Sequence, residues 1–128
     1  DLIRAEAYLN QGNLDRAAEL INRTRVKNGG LPAVTVAGVP NARSCVPKTQ
    51  KGACGSLFDA LRYEKRIETA GVEGSTAYWD ARGWGTLLVG TPVHFPVPWR
   101  DLELIGAPLY TFGGGGAGSV AAADTIAQ

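Results

Sequence analysis

Several residue types are scarce in this sequence, and each scarcity narrows what the chain can do. Methionine is absent, and His94 is the single histidine. Only two cysteines are present, Cys45 and Cys54. A zinc site needs four ligands, and two Cys with one His do not supply them. No nucleophile, base and orienting group can be picked out as a set, so the chain is not expected to be an enzyme, and no cofactor is expected. An excess of charge is lacking too: 13 basic and 12 acidic residues leave a formal net charge of +1. That balance gives no electrostatic footprint for nucleic acid or for an anionic membrane surface. No apolar run approaches the ~20 residues of a membrane-spanning helix. A basic leader is also lacking. The sequence opens Asp1-Leu2-Ile3-Arg4 inside a helical pattern, which sets the expectation of a piece of a longer protein with its targeting information upstream.

The two cysteines flank a segment rich in turn formers and polar residues, VPKTQKGA. The favoured reading is a local disulfide, Cys45–Cys54, closing a surface loop in an oxidising compartment. A redox pair would more often be spaced C-x-x-C. The loop itself, residues 31–55, is irregular. Short strands at Ala33–Val36 and Ala37–Val39 around a turn are one expectation for it. A connection this long inside a compact domain is usually functional or an insertion.

Helical periodicity dominates the rest. Leu2–Gln11 carries Leu2, Ile3, Ala5, Tyr8 and Leu9 as its apolar members, and Gly12 suits its C-terminus. Asn13 is the expected N-cap of a second helix, Leu14–Val26, with Leu14, Ala17, Leu20, Ile21 and Thr24 facing inward. Asp15 in its first turn and Arg23, Arg25 and Lys27 in its last suit the helix dipole. Two helices joined by two residues form an antiparallel pair, and the placement of Ala5, Tyr8, Gly12, Leu14, Ala17 and Ile21 resembles a tetratricopeptide repeat. The expected fold class is mainly α, with tetratricopeptide-like antiparallel helix pairs, long irregular loops and an extended Pro-rich C-terminal segment. Asn22-Arg23-Thr24 matches a glycosylation sequon in mid-helix.

The most informative stretch is Ser56–Trp84. Leu57, Leu61, Glu64 and Glu68 recur at i, i+4, i+7 and i+11 on one helical face, flanked by Ala60 and Ile67. Two carboxylates thus continue an apolar stripe, which is costly unless they are paired. Arg82, past a break at Gly71–Gly74, is the first candidate partner and Arg4 the second, giving a structural ion-pair network of Glu64, Glu68 and Arg82. The competing reading, a catalytic carboxylate pair as in glycoside hydrolysis, is disfavoured because neighbouring turns of one helix rarely oppose carboxylates across a substrate. A second short helix carries Tyr78, Trp79, Asp80, Arg82 and Trp84. Its aromatics suggest a hydrophobic anchor, with a sugar-stacking platform as the alternative. If the helix continues to Trp84, the two indoles lie ~140° apart around its axis, and at least one is expected in the core. Pro92, Pro96 and Pro98 exclude helix thereafter. Thr91–Pro98 should run extended with Val93, Phe95 and Val97 inward and His94 outward, before one helical turn at Asp101–Leu104. Residues 1–112 read as one helical region and 113–128 as a Gly/Ala-rich tail.

In order, LIRAEAYLNQGNLDRAAELINRTRVKNGG, ALRYEKRIETAGVEG, AYWDARGWG and FPVPWRDLEL resemble the C-terminal part of the SusD/RagB family of bacterial surface nutrient-binding lipoproteins. Arg4, Ala5, Glu6, Asn22 and Arg25 match the family's first run. Glu64, Arg66, Glu68, Glu73, Gly74, Asp80, Arg82 and Trp84 match the second, and Pro96, Val97, Pro98 and Glu103 the third. Ser75-Thr76, the cysteine loop and the tetraglycine Gly113–Gly116 depart from the family pattern. The resemblance implies capture of glycan or peptide at the cell surface, in the outer membrane or outside it, as a lid on a TonB-dependent transporter and without catalysis. It transfers no ligand-binding residue. The alternative is a self-associating extracellular subunit, in a filament or surface layer, whose exposed helix faces are covered by copies of itself.

Overall fold

In the structure, a computed structural model, residues 1–72, 75–88, 91 and 97–108 are described. The protein is mainly helical, with five helices among these residues: α1 (Leu2–Asn10), α2 (Leu14–Lys27), α3 (Leu57–Glu68), α4 (Thr76–Gly83) and α5 (Trp99–Leu104). None of the described helices is long and apolar enough to cross a membrane. The chain divides into two compact units, one holding Asp1–Ala77 and the other beginning at Tyr78.

The first unit is built on α1, α2 and α3, each of which touches the other two. Local sequence explains how α1 gives way to α2. Gly12 takes a φ of +76°, and the amides of Gly12 and Asn13 donate to the Leu9 and Tyr8 carbonyls at 3.0 and 2.9 Å. Those two bonds close the end of α1 in the manner that a left-handed glycine permits. Asn13 then caps α2, its side chain accepting from the Arg16 amide. The tight turn sends α2 back along α1, so that Arg23, late in α2, reaches Asp1 ahead of α1. Ser56 begins α3 with a reciprocal pair: its hydroxyl accepts from the Asp59 amide, and the Asp59 carboxylate accepts from the Ser56 amide. This is a capping box, which satisfies two otherwise orphaned donors.

The core sits where the three helices meet. Ala5, Ala17, Leu20, Ile21, Ala60 and Leu61 are fully buried. Small alanines let the helix axes approach, and each buried Leu or Ile contributes about 1.5–3 kcal/mol relative to exposure. Lys65 of α3 adds a polar tie, donating to Glu6 of α1 at 2.8 Å. The inward faces differ in detail from the expected ones. Leu14, Ile3 and Ile67 are exposed, while Ala18 and Arg25 of α2 and Lys65 of α3 are buried. On α3 the buried arc therefore turns from Ile67 toward Lys65, because that is the side on which α1 supplies Glu6.

Residues 31–55 form no strands. Thr35 and Gly38 pair as an isolated bridge around a tight turn, and Lys48 pairs with Cys54 in the same way. The loop is nevertheless tied down. Val34, Val39 and Cys45 join the helical core cluster, and the Val39 amide donates to the Gly55 carbonyl at 2.9 Å. Gly38 is required there: its φ is +104°, and a Cβ would stand 2.7 Å from the Gly55 oxygen. The disulfide is formed, with the Cys45 and Cys54 Cα atoms 5.7 Å apart.

In the second unit, Gly85 at φ +68° ends α4, and the Thr86 amide returns to the Ala81 carbonyl at 2.8 Å. Leu87 and Leu102 are its buried apolar residues among those described. The helical turn expected at Asp101–Leu104 begins two residues earlier, at Trp99, directly after Pro98. Most of Thr91–Pro98, where an extended run with Val93, His94 and Phe95 is expected, lies outside the described residues, as do Glu73, Gly74 and the 113–128 tail.

Candidate functional site

Two positions on one face of α2 organise the first unit. Asn22 and Arg25 are three residues apart, so their side chains leave the helix on the same side. The Asn22 amide grips the loop backbone in both directions, accepting from the Val34 amide at 2.8 Å and donating to the Val34 carbonyl at 2.9 Å. That amide nitrogen is therefore engaged in the fold, and the sequon at Asn22 is a structural clamp. Arg25 lies deeper. Its Nη1 donates to the Glu64 Oε1 at 2.9 Å, its Nε to the Pro32 carbonyl at 2.7 Å, and its Nη2 to the Val46 carbonyl. One guanidinium thus joins α2, α3, the start of the loop and the disulfide-closed segment. Its planar fork suits such divided duty.

Glu64 is thereby buried and paired with an arginine, but the partner is Arg25, where the sequence pointed first to Arg82 and then to Arg4. The physical reason is the loop. By passing over the end of α2, residues 31–55 bury Arg25, whereas Arg4 stays exposed near Asp1. Arg82 belongs to the second unit, where its guanidinium stands 5.6 Å from the centre of the Trp79 ring. A signal for Arg25 was present in the sequence. It extends the stripe Ala18–Ile21–Arg25 on α2 just as Glu64 extends Leu57–Leu61–Glu64 on α3. Each helix offers one charge on an apolar face, of opposite sign.

Glu68, one turn beyond Glu64, accepts from the Asn28 side chain at 3.1 Å. The contacts 25 to 64 and 28 to 68 run in the same sense, so α2 and α3 bring their C-terminal ends together. The long connection 28–56 permits this, since only a short turn would force neighbouring helices to reverse. Between those ends opens a cavity of about 170 Å³, lined by Asn28, Leu31, Tyr63, Glu64, Ile67 and Glu68 among others. Burial pushes the Glu64 carboxyl above its ordinary range; Arg25 opposes this by hydrogen bond and charge, and the Glu68 carboxylate adds to the upward push.

The aromatic group of α4 is arranged differently from the expected core anchor. Trp79 is 42% exposed, with Tyr78 packed edge-on at a ring separation of 5.0 Å. Trp84 is half-buried and lies past the end of α4, so helical phasing does not relate the two indoles. Among the described residues, no three His, Cys, Asp or Glu side chains group as a metal site.

No known family, curated protein or solved structure matches the chain.

Proposed function

We propose that the chain is part of a non-enzymatic binding module of the bacterial cell surface, carried in the outer membrane or outside it, that captures glycan or peptide nutrients together with a TonB-dependent outer-membrane transporter. The observation that carries this reading is the joint placement of Asn22, Arg25 and Glu64. These three residues match two separate runs of the SusD/RagB pattern, and here they serve one purpose, holding a long loop on a helical scaffold. In this reading α1 and α2 form a tetratricopeptide-like pair, and neighbours from a longer chain extend it. The Cys45–Cys54 bond favours an oxidising compartment. The carboxylates also fit a role without chemistry, since Oε1 of Glu64 is held by a buried guanidinium.

A specific observation favours a second reading, the self-associating subunit. Ile3 and Val72 are 76% and 75% exposed, and Ile67 is 58% exposed, apolar side chains that copies of the same protein could cover. One experiment separates the two. The tagged protein, expressed in its own cells, is captured from gently solubilised envelopes, and its partners are identified and counted. A TonB-dependent β-barrel at near-equal stoichiometry supports the nutrient-binding module. Copies of the protein alone support the filament or layer subunit. Recovery only in the cytoplasm, with both cysteines reduced, contradicts both.

A further inference from the structure

We propose that the disulfide-closed part of the loop, residues 41–54, is a binding surface for an acidic polysaccharide, one bearing uronate carboxylates or sulfates, with Arg43 and Lys48 as its anion contacts. The inference rests on the nutrient-capture reading and names the class of glycan.

It starts from the distribution of charge. The near-neutral total hides a segregation. Between Glu19 and Asp59 the sequence holds no acidic residue and six basic ones, Arg23, Arg25, Lys27, Arg43, Lys48 and Lys51. Two of these are neutralised by carboxylates outside that stretch: Arg23 reaches Glu19 and Asp1, and Arg25 is buried on Glu64. Arg43 and Lys48 are exposed and form no ion pair among the described residues. Lys48 Nζ donates instead to the Arg43 main-chain carbonyl at 3.1 Å. A second cation is thereby drawn toward Arg43, and the loop holds no carboxylate to offset either. An external anion offsets both.

The surface is also preformed. The Cys45–Cys54 bond closes it, and Lys48 pairs with Cys54 as an isolated bridge. The Thr49 and Gly55 amides donate to the Ala53 and Pro47 carbonyls at 2.8 and 3.0 Å. Cys45 and Pro47 are buried, while Lys51 is exposed on the same turn. Binding therefore orders little backbone.

The neighbouring residues decide between anionic partners. No large apolar side chain between Val36 and Ile67 is exposed. The surface thus lacks the apolar or aromatic anchor by which a protein partner is held, and the apolar face by which a segment settles into a bilayer. What surrounds the cations is polar and neutral: Asn41, Ser44 and Gln50 are exposed. Amide and hydroxyl groups suit sugar hydroxyls as well as acidic groups.

The test is calorimetry of the intact protein at low and at physiological salt. Polygalacturonate presents carboxylates and dextran sulfate presents sulfates; dextran is the neutral comparison and poly-glutamate the acidic peptide. At least one anionic glycan is expected to bind saturably, with affinity falling as salt rises. The double variant Arg43→Gln, Lys48→Gln should weaken that binding about tenfold, with its thermal midpoint close to that of the wild type. Arg16→Gln, which removes an exposed cation of α2, should leave it unchanged. Equal binding by wild type and double variant, or poly-glutamate bound as tightly as the glycan, would overturn the proposal. Binding of dextran alone would overturn it too, while leaving nutrient capture standing.

Discussion

Arg25 and Glu64, 39 residues apart in sequence, meet at 2.9 Å with side chains 0% and 3% exposed. The two ends of this pair are not equivalent. Arg25 holds three acceptors, two of them backbone carbonyls in the loop, whereas Glu64 holds one donor. Arg25→Met should therefore cost about 3–5 kcal/mol, because it leaves a buried carboxylate and two carbonyls without donors. Glu64→Gln keeps an acceptor of the same shape and should cost about 1 kcal/mol. Urea unfolding of the two variants measures both. Equal costs would mean that the loop is not held through Arg25.

The pH dependence of the same pair has a definite sign. The folded-state value of Glu64 lies above its ordinary 4.5, first because of burial. A raised carboxyl binds its proton more tightly in the folded than in the unfolded chain. The stability this contributes is full below the unfolded value and is lost as pH rises through the folded one. Wild type should thus lose stability relative to Glu64→Gln as pH rises above the ordinary carboxyl value of 4.5. Other carboxylates are common to both proteins and cancel. Unfolding midpoints of the two across this range test it, and an opposite slope would show that Arg25 outweighs burial.

The disulfide predicts a local effect. Cys45 and Cys54 are nine residues apart, and opening so short a loop should cost about 2–3 kcal/mol on the chain-entropy account. Hydrogen exchange of the double variant Cys45→Ser, Cys54→Ser should show where. The amides of Thr49 and Gly55, which bond across the closed segment, should exchange faster. Those in the middle of α3 should change less, because Ala60 and Leu61 are fully buried where α3 meets α1 and α2.

Local chemistry made much of the fold readable in advance. Gly12 and Asn13 fixed the α1–α2 turn because the backbone conformation and cap they supply act within a few residues. The cysteine spacing and polar loop likewise pointed to a bond that is formed. What was hidden depended on distance. Residues 31–55 carry few periodic signals, so nothing local revealed that they would cross α2, bury Val34 and Val39 and enclose Arg25. Arg25 therefore read as a last-turn cation suited to the helix dipole, and its carboxylate was matched to Arg82. Ile67, which flanks the stripe, is exposed for a related reason. Periodicity places a residue on an arc, but the neighbour that covers the arc, here Glu6 reaching Lys65, decides where the arc ends. At the candidate site the two glutamates were legible as a stripe, while the cavity between two helix ends was not, since it requires α2 and α3 to run in the same sense.

The central claim, that this protein binds its ligand without altering it, is tested most directly by calorimetry of the pure protein against oligosaccharides and peptides, with mass spectrometry of the ligand recovered afterwards. The account predicts saturable binding and ligand returned at its original mass. Cleaved ligand from the wild type, with cleavage abolished in Glu64→Gln, would contradict it.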